Sequence, residues 1–304
     1  MNFNEAKNEI LQTLGRTDPQ ELAKIIDWLK NSDDLDDLLV DNQKAILMSI
    51  AEDLRPCLPL EAMFPSETMA IQKTQQTSKP TVHVDAFLYD EETVDSLCEE
   101  RKMSRNYCLN CGSHSTAPLE FISHSFSVSE LRFLFHHVLP DLTGRLVMDV
   151  GSRLGTVLYG GYLYSSAARL VGVEMSEEFV KLQTMVVEKY AFGDRIQVIH
   201  ADICTQAALV QNADVLIMNN VFEYFMEPKD QAKAWNFISQ NFLKKGALLV
   251  TVPSIQEALI SLQASNGLTE IGHWLEEVLL DYSAYLQSDT ELDFLKQIHL
   301  YRVL

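Results

Sequence analysis

Two glycines and a following acid have the spacing of a site for a nucleoside cofactor. The apolar stretch Leu146–Val150 leads into Gly151 and Gly155, and a second apolar stretch, residues 169–173, ends at Glu174. This order predicts a strand, a glycine turn, a helix and a second strand with a terminal carboxylate. Glycines allow backbone N–H groups to approach a ligand, and the carboxylate can accept hydrogen bonds from two ribose hydroxyls. The stretch therefore predicts nucleoside-cofactor binding.

The spacing of the glycines distinguishes between classes of cofactor. A dinucleotide fingerprint reads G-x-G-x-x-G, whereas three residues separate Gly151 from Gly155 and Asp149 precedes them. The pattern Asp149-x-Gly151-x-x-x-Gly155 resembles motif I of the class I S-adenosylmethionine-dependent methyltransferases. Glu174 follows the loop where that family binds the ribose. The resemblance implies S-adenosylmethionine as the cofactor.

Later segments continue the resemblance in the same order. Residues 196–200 predict a third strand followed by Asp202 and Ile203, which match the family's contacts to adenine. Residues 213–218 and 247–252 predict the fourth and fifth strands. The resemblance implies an α/β fold: a Rossmann-like, seven-stranded methyltransferase sheet with helices on both faces.

The resemblance also assigns cofactor contacts by position. The implied residues are Asp149, Gly151, Ser152, Arg153, Gly155, Glu174, Asp202, Ile203 and Asn219. Asp149 would anchor the methionine end, Glu174 the ribose and Asp202 the adenine amino group; the alternative for these acids is capping at strand ends. Arg153 stands where many members have glycine, so its side chain either crowds the cofactor or pairs with the cofactor's carboxylate. A crowded loop would leave a catalytically silent, methyltransferase-fold interaction protein.

The end of the fourth predicted strand should select the acceptor, and it resembles two subfamilies. Asn219-Asn220 lacks the paired prolines of amino-methylating Asn-Pro-Pro-Tyr motifs and is similar to the disruptor-of-telomeric-silencing histone lysine methyltransferases. Residues 221–225 equally resemble the Val-Leu-Glu-His signature of small-molecule methyltransferases, with Tyr224 in place of histidine. Asn219 or Asn220 would orient the acceptor, and Glu223 or Tyr224 could assist proton removal. The alternative for Glu223 is an exposed loop acid.

The net charge of the chain indicates which classes of partner it can attract. The formal net charge of −19 disfavours direct nucleic-acid binding, which depends on clustered Lys and Arg. It favours a basic protein as substrate or partner, although acidity can also serve solubility alone. We therefore expect methylation of a protein side chain, a lysine-type amine. A small-molecule acceptor is the first alternative.

Composition along the chain predicts four regions. They are an acidic helical domain over residues 1–71, a polar linker over 72–80, an irregular segment over 81–126 and the methyltransferase domain over 127–304. No run of about 18 apolar residues is present, and the N-terminal residues lack the pattern of a signal peptide. We expect a protein of the cytoplasm or nucleus with no membrane association.

One cysteine pair is spaced as half of a zinc site. Cys108 and Cys111 lie three apart, as in a zinc knuckle, and the remaining ligands would come from Cys98, His114, His124 or His83. Unligated thiols in a turn and a redox pair are the alternatives. The odd number of five cysteines argues against a disulfide framework.

Helix signals surround the predicted core. Residues 127–130 form a capping box ahead of a helix that precedes the first strand of the family. Helical patterns dominate residues 254–287, and only 294–304 predicts a final strand. The second of the family's two C-terminal antiparallel strands is not evident in the sequence.

Overall fold

The computed structural model describes residues 3–31, 34–74, 81–108, 116–118, 120–263, 273–282 and 294–304. The chain forms two compact units, Met1–Ile46 and Leu47–Leu304. The division falls within a helix, earlier than the predicted linker. The reason is that Leu47 and Leu54 are fully buried in the core of the larger unit.

Three helices form the start of the chain, where the sequence predicts an acidic helical domain. They are α1 (Phe3–Leu14), α2 (Pro19–Asn31) and α3 (Asp34–Leu54). The Asp18 carboxylate accepts a hydrogen bond from the Gln20 N–H at 2.9 Å, as expected for an N-cap followed by proline.

The larger unit continues with helices and short strands in alternation. Its further helices are α4 (Pro65–Thr74), α5 (Glu91–Glu99), α6 (Val128–Phe133), α7 (Thr156–Tyr164), α8 (Glu177–Lys189), α9 (Ala207–Asn212), α10 (Pro228–Asn241) and α11 (Ile255–Gln263). Its strands are β1 (Thr81–His83), β2 (Asn106–Cys108), β3 (Thr116–Pro118), β4 (Glu120–Ile122), β5 (Leu146–Val150), β6 (Arg169–Glu174), β7 (Ile196–His200), β8 (Val215–Asn219), β9 (Leu248–Val252), β10 (Leu275–Val278) and β11 (His299–Val303). Single 3₁₀ turns cover Arg55–Cys57 and Ile203–Thr205, and α6 continues as one π turn, Leu134–Val138.

Seven strands form the main sheet in the order β10, β11, β9, β8, β5, β6, β7. Strands β5 to β9 are mutually parallel, whereas β11 is antiparallel to both of its neighbours. Met148, Leu216 and Met218 are buried from one face of the sheet with Trp235 and Leu259 of α10 and α11. This architecture confirms the predicted α/β fold with a seven-stranded sheet.

The C-terminal region differs from the sequence prediction. Helix α11 ends at Gln263, and Leu275–Val278 forms the antiparallel partner of the last strand rather than a helix. Leu275 and Val278 enclose two acids and are three residues apart, which is the apolar spacing of a helix rather than the alternation of a strand. The edge strand therefore depends on pairing with β11, a tertiary contact.

Strand β1 ends at His83, because the Asp85 carboxylate accepts the Phe87 N–H at 3.0 Å and turns the chain. The predicted linker begins inside α4, and residues 75–80 lie outside the described residues. Within the described part of the chain, no helix is long and apolar enough to cross a membrane.

Candidate active site

The glycine loop lies at the carboxyl end of β5. Gly151 and Gly155 have φ values of +65° and +81°, a region that favours glycine. A Cβ on Gly151 would lie 2.4 Å from the Val221 side chain. The Gly151 N–H donates to the Val173 carbonyl at 2.8 Å, which ties the loop to the end of β6. A Cβ on Gly155 would lie 2.7 Å from the buried Tyr159 hydroxyl, so both glycines are required by backbone conformation and by close approach.

Glu174 ends β6 beside this loop. Its carboxylate oxygens accept the Arg153 N–H and the Ser176 N–H, each at 2.8 Å. Burial raises the pKa of Glu174 despite these hydrogen bonds. Each carboxylate oxygen can accept more than one hydrogen bond, so capacity for two ribose hydroxyls remains. The Ser176 side chain makes no cap hydrogen bond to α8.

Asp149 is a buried carboxylate for which the described part of the chain supplies no partner. It is 4% exposed, and among the described residues its side chain makes no hydrogen bond or ion pair. Burial, and then the nearby charge of Glu174, raise the pKa of Asp149 well above its usual value. Burying an unpaired acid is costly, and a donor on a bound ligand would offset that cost. Asp149, Glu174 and the two glycines therefore fit the methionine and ribose parts of S-adenosylmethionine.

We expect Asp149→Asn to stabilise the ligand-free protein at neutral pH and to weaken cofactor binding. Because the folded-state pKa is raised, the acid stabilises the fold below its unfolded pKa and loses that contribution as the pH rises. The gain should be at least about 1 kcal/mol at pH 7 and should vanish in acid. Urea unfolding at several pH values measures it, with exposed Asp194→Asn as the control. An unchanged or lower stability at pH 7 would contradict the assignment.

The side chain of Arg153 has protein partners instead of the cofactor carboxylate that the sequence suggested. Its guanidinium donates to the Glu67 carboxylate at 2.8 Å, to the Asp85 carboxylate at 2.6 Å and to the Ala62 carbonyl. Burial opposes the charge, but attraction to Glu67 and Asp85 outweighs it and raises the pKa of Arg153. The structure thus pairs Arg153 with protein carboxylates and leaves no need for a cofactor carboxylate as its partner. The Arg153 backbone, with φ of +44°, still serves the site through its N–H to Glu174.

These contacts fasten two stretches, residues 59–74 and 83–88, to the glycine loop; we call them the cover. Phe64 of the cover packs on Phe179 of α8 with ring centroids 4.8 Å apart. The Ser125 hydroxyl donates to Asp85 at 2.6 Å. The cover therefore lies against the loop where the cofactor is expected to bind.

The residues predicted to contact adenine lie at the next strand end. Asp202 follows β7, and its carboxylate accepts the Cys204 N–H at 2.8 Å. Ile203 is buried. Residue His200 of β7 is in register with Glu174 of β6, so the residues predicted for ribose and for adenine share one edge of the sheet. Capping at a strand end was the alternative role for Asp202 in the sequence analysis. One of its two carboxylate oxygens accepts the cap hydrogen bond.

The predicted acceptor residues follow β8. The Asn220 N–H donates to the Val252 carbonyl at 2.7 Å, and its side-chain amide donates to the Ser123 carbonyl at 3.4 Å and to Asn219 at 3.3 Å. The Glu223 carboxylate accepts the Phe222 N–H at 3.1 Å, and burial raises the pKa of Glu223. Glu223 is thus a half-buried acid rather than an exposed one.

Sequence reasoning missed a pair of histidines beside this strand end. Nδ1 of His83 lies 2.9 Å from Nε2 of His124. The Tyr224 ring meets the His124 ring edge-on, with centroids 5.2 Å apart. The two histidines are 41 residues apart in sequence, so no local pattern could have paired them.

The structure does not support the zinc prediction. Within the part of the chain that the structure describes, no three His, Cys, Asp or Glu residues are placed to hold a metal ion. Cys98 is a free, half-buried thiol. Cys111 and His114 lie outside the described residues, as does the side chain of Cys108. His83 and His124 contact each other.

Part of the chain matches a known family. Residues 148–251 match the family model described as a methyltransferase domain. The chain is similar to an RNA methyltransferase from Salinibacter ruber in complex with S-adenosyl-L-homocysteine, at 15% identity over 58% of this chain and 87% of that chain, with a TM-score of 0.35. It is similar to a methyltransferase from Geobacter sulfurreducens at 18% identity, over 58% and 76% of the two chains, with a TM-score of 0.34. An O-methyltransferase from Bacillus cereus is 12% identical, over 60% and 84%, with a TM-score of 0.38. A comparison with curated protein sequences found no match.

The matched residues run from β5 to β9 and include the glycine loop and Glu174. The parallel strands are completed by the antiparallel β11 between β9 and β10. The family-model match over β5 to β9 and the seven-stranded sheet support the class I, Rossmann-like, S-adenosylmethionine-dependent methyltransferase family expected from the sequence.

Proposed function

We propose that this methyltransferase acts on a small molecule that binds under the cover. The observation that carries the proposal is the buried attachment of the cover to the glycine loop. The Arg153 side chain is 8% exposed, and its partners Glu67 and Asp85 are 10% and 1% exposed. An open groove for a protein segment would not need such a fixed closure, whereas enclosed pockets are typical of small-molecule sites.

Cofactor binding is assigned to the residues around the glycine loop. The Gly151 to Gly155 backbone and Asp149 would hold the methionine end, Glu174 the ribose, and Asp202 and Ile203 the adenine. Bound S-adenosylmethionine supplies an electrophilic methyl group on a sulfonium sulfur. The protein has to hold the acceptor in line with that group and to take up any proton that the acceptor loses.

Residues after β8 would orient the acceptor. The side chains of Asn219 and Asn220 are half-buried beside Ser123, so they can direct hydrogen bonds inward. Glu223 and Tyr224 lie on the same loop. The raised pKa of Glu223 leaves that carboxyl able to exchange a proton nearer neutrality than an exposed acid.

A protein side chain remains the second candidate, because the net charge of −19 would attract a basic protein. A lysine-type amine would then be the acceptor, and the protein would act in the cytoplasm or nucleus. A catalytically silent interaction protein is the third. Each makes a different experimental prediction.

The test is transfer of a radiolabelled methyl group from S-adenosylmethionine to a cell extract, followed by separation of small molecules from protein. We expect label in the small-molecule fraction, lost in Glu174→Ala. Label in a protein band would overturn the proposal in favour of a side-chain acceptor. No label, in a protein that binds S-adenosylhomocysteine, would indicate the silent alternative.

A further inference from the structure

A glutamine stands in the buried face of α8 beside the glycine loop. That face carries Phe179, Gln183 and Val186, and their separations of four and three residues place them on one side of the helix. Phe179 and Val186 are apolar, whereas the side chain of Gln183 buries an amide at 0% exposure. Glutamine is mostly an exposed residue, and burying an amide is costly unless its atoms are hydrogen-bonded. The partners of this amide therefore explain why a polar residue stands in the core.

Both ends of the Gln183 amide bind the glycine loop. Oε1 accepts a hydrogen bond from the Ser152 hydroxyl, and Nε2 donates to the Arg153 carbonyl, each at 2.8 Å. Ser152 and Arg153 are themselves buried, so water does not compete for these hydrogen bonds. One side chain with both a donor and an acceptor thus holds two consecutive residues of the loop.

Two glycines leave room for this arrangement. Gly172 of β6 lies against Ser152, because a Cβ on Gly172 would be 2.6 Å from Oγ of Ser152. A Cβ on Gly155 would be 3.0 Å from Cγ of Gln183. The loop therefore packs closely on β6 and on α8 around the two hydrogen bonds.

The backbone of Arg153 depends on such restraints. Its φ of +44° is a region that residues with a side chain adopt at an energetic cost. Its N–H donates to Glu174 and its carbonyl accepts from Gln183, each at 2.8 Å. A strained backbone persists where its surroundings fix it, and such residues cluster at ligand sites. Gln183 thus helps to maintain a loop conformation that would otherwise relax.

The hydrogen bond to the Arg153 carbonyl also sets the direction of the next N–H group. In a trans peptide the C=O and the following N–H point in opposite directions. Because the Arg153 carbonyl faces Gln183, the Leu154 N–H points away from Gln183. Among the described residues no acceptor binds the Leu154 N–H, so it is a donor left for a ligand. The carboxylate at the methionine end of S-adenosylmethionine is an anion that such a backbone N–H can bind.

We propose that Gln183 is a positioning residue for cofactor binding: its amide holds Ser152 and Arg153 so that the loop presents the Leu154 N–H to the carboxylate of the methionine end. The inference rests on the assignment of the cofactor to this loop under the proposed function, and it does not depend on the acceptor. Gln183 acts through the loop and has no contact of its own with the cofactor.

The experiment compares the binding of two ligands to the full chain by isothermal titration calorimetry. S-adenosylhomocysteine has the amino-acid end, whereas 5′-methylthioadenosine keeps the adenine, the ribose and the thioether but lacks that end. In Gln183→Met, which keeps the length of the side chain and removes both hydrogen bonds, S-adenosylhomocysteine should bind about tenfold more weakly. Binding of 5′-methylthioadenosine should equal that of the parent, because the Ser176 N–H still holds the other carboxylate oxygen of Glu174.

A double-mutant cycle tests whether the effect passes through the loop. Because Gln183 acts partly through the Ser152 hydroxyl, Gln183→Met should weaken S-adenosylhomocysteine binding less in a Ser152→Ala background than in the parent. The matched control is Gln211→Met, which removes an exposed amide that donates to Asn241 and should leave both affinities at the parent values. Thermal melting of each variant shows whether the fold survives.

Parent-like affinity for S-adenosylhomocysteine in a folded Gln183→Met protein would overturn the inference. Equal losses for the two ligands, or additive effects of Gln183→Met and Ser152→Ala, would overturn it as well, since either result would indicate a general role in the fold. Failure of the parent to bind S-adenosylhomocysteine would contradict the cofactor assignment of the proposed function, whereas intact binding by the parent and by Gln183→Met alike would contradict the role of Gln183 alone.

Discussion

Glu174→Ala should weaken binding of S-adenosylhomocysteine at least about 100-fold, because two hydrogen bonds from ribose hydroxyls to a buried carboxylate are lost. The same carboxylate accepts the Arg153 and Ser176 N–H groups, so its removal also loosens the loop that meets the cofactor. Isothermal titration calorimetry measures the effect. Glu174→Gln keeps the volume and one acceptor oxygen and should lose about tenfold.

The matched control is Glu178→Ala, which removes an exposed acid from the first turn of α8. Its affinity should equal that of the parent. Far-UV circular dichroism and thermal melting of each variant show whether the fold survives. Parent-like binding by a folded Glu174→Ala protein would exclude Glu174 as the ribose partner and would leave it a role only in closing the loop.

The strands of the core could be predicted because their apolar runs are bounded by clear turn residues. Leu146–Val150 is bounded by Gly151, and residues 169–173 are bounded by Glu174; both strands formed as expected. Parallel strands buried on both faces give continuous apolar runs, which the sequence displays directly. The order of motifs then predicted the carboxyl edge of the sheet as the site.

The features that escaped prediction depend on contacts between distant parts of the chain. The edge strand Leu275–Val278 is specified by its pairing with β11. The hydrogen bond between His83 and His124 spans 41 residues, and the two ion pairs of Arg153 span 86 and 68. Spacing along the sequence carries no record of such pairs. This is why Arg153 could be recognised as unusual in its motif while its partners could not.

Arg153→Met should lower the free energy of unfolding of the larger unit by about 3 to 5 kcal/mol, because it leaves two buried carboxylates without their cation. Glu67 and Asp85 are its ion-pair partners, and the guanidinium also satisfies the Ala62 carbonyl. Urea unfolding measures the change. The control is Arg105→Met, which breaks the far more exposed pair with Asp95 and should cost less than about 1 kcal/mol.

Substitution of Glu67 and Asp85 tests whether their unpaired charges cause the loss of stability in Arg153→Met. Adding Glu67→Gln and Asp85→Asn to Arg153→Met removes the uncompensated charges and should recover much of the lost stability. Arg153→Gly relieves the positive φ of +44°, so it should be less destabilising than Arg153→Met. Equal stability of Arg153→Met and the parent would mean that the buried ion pairs do not hold the cover. If the parent and the restored triple variant both bind S-adenosylhomocysteine but Arg153→Met does not, then Arg153 contributes to cofactor binding by fixing the cover and the loop, rather than by contact with the cofactor.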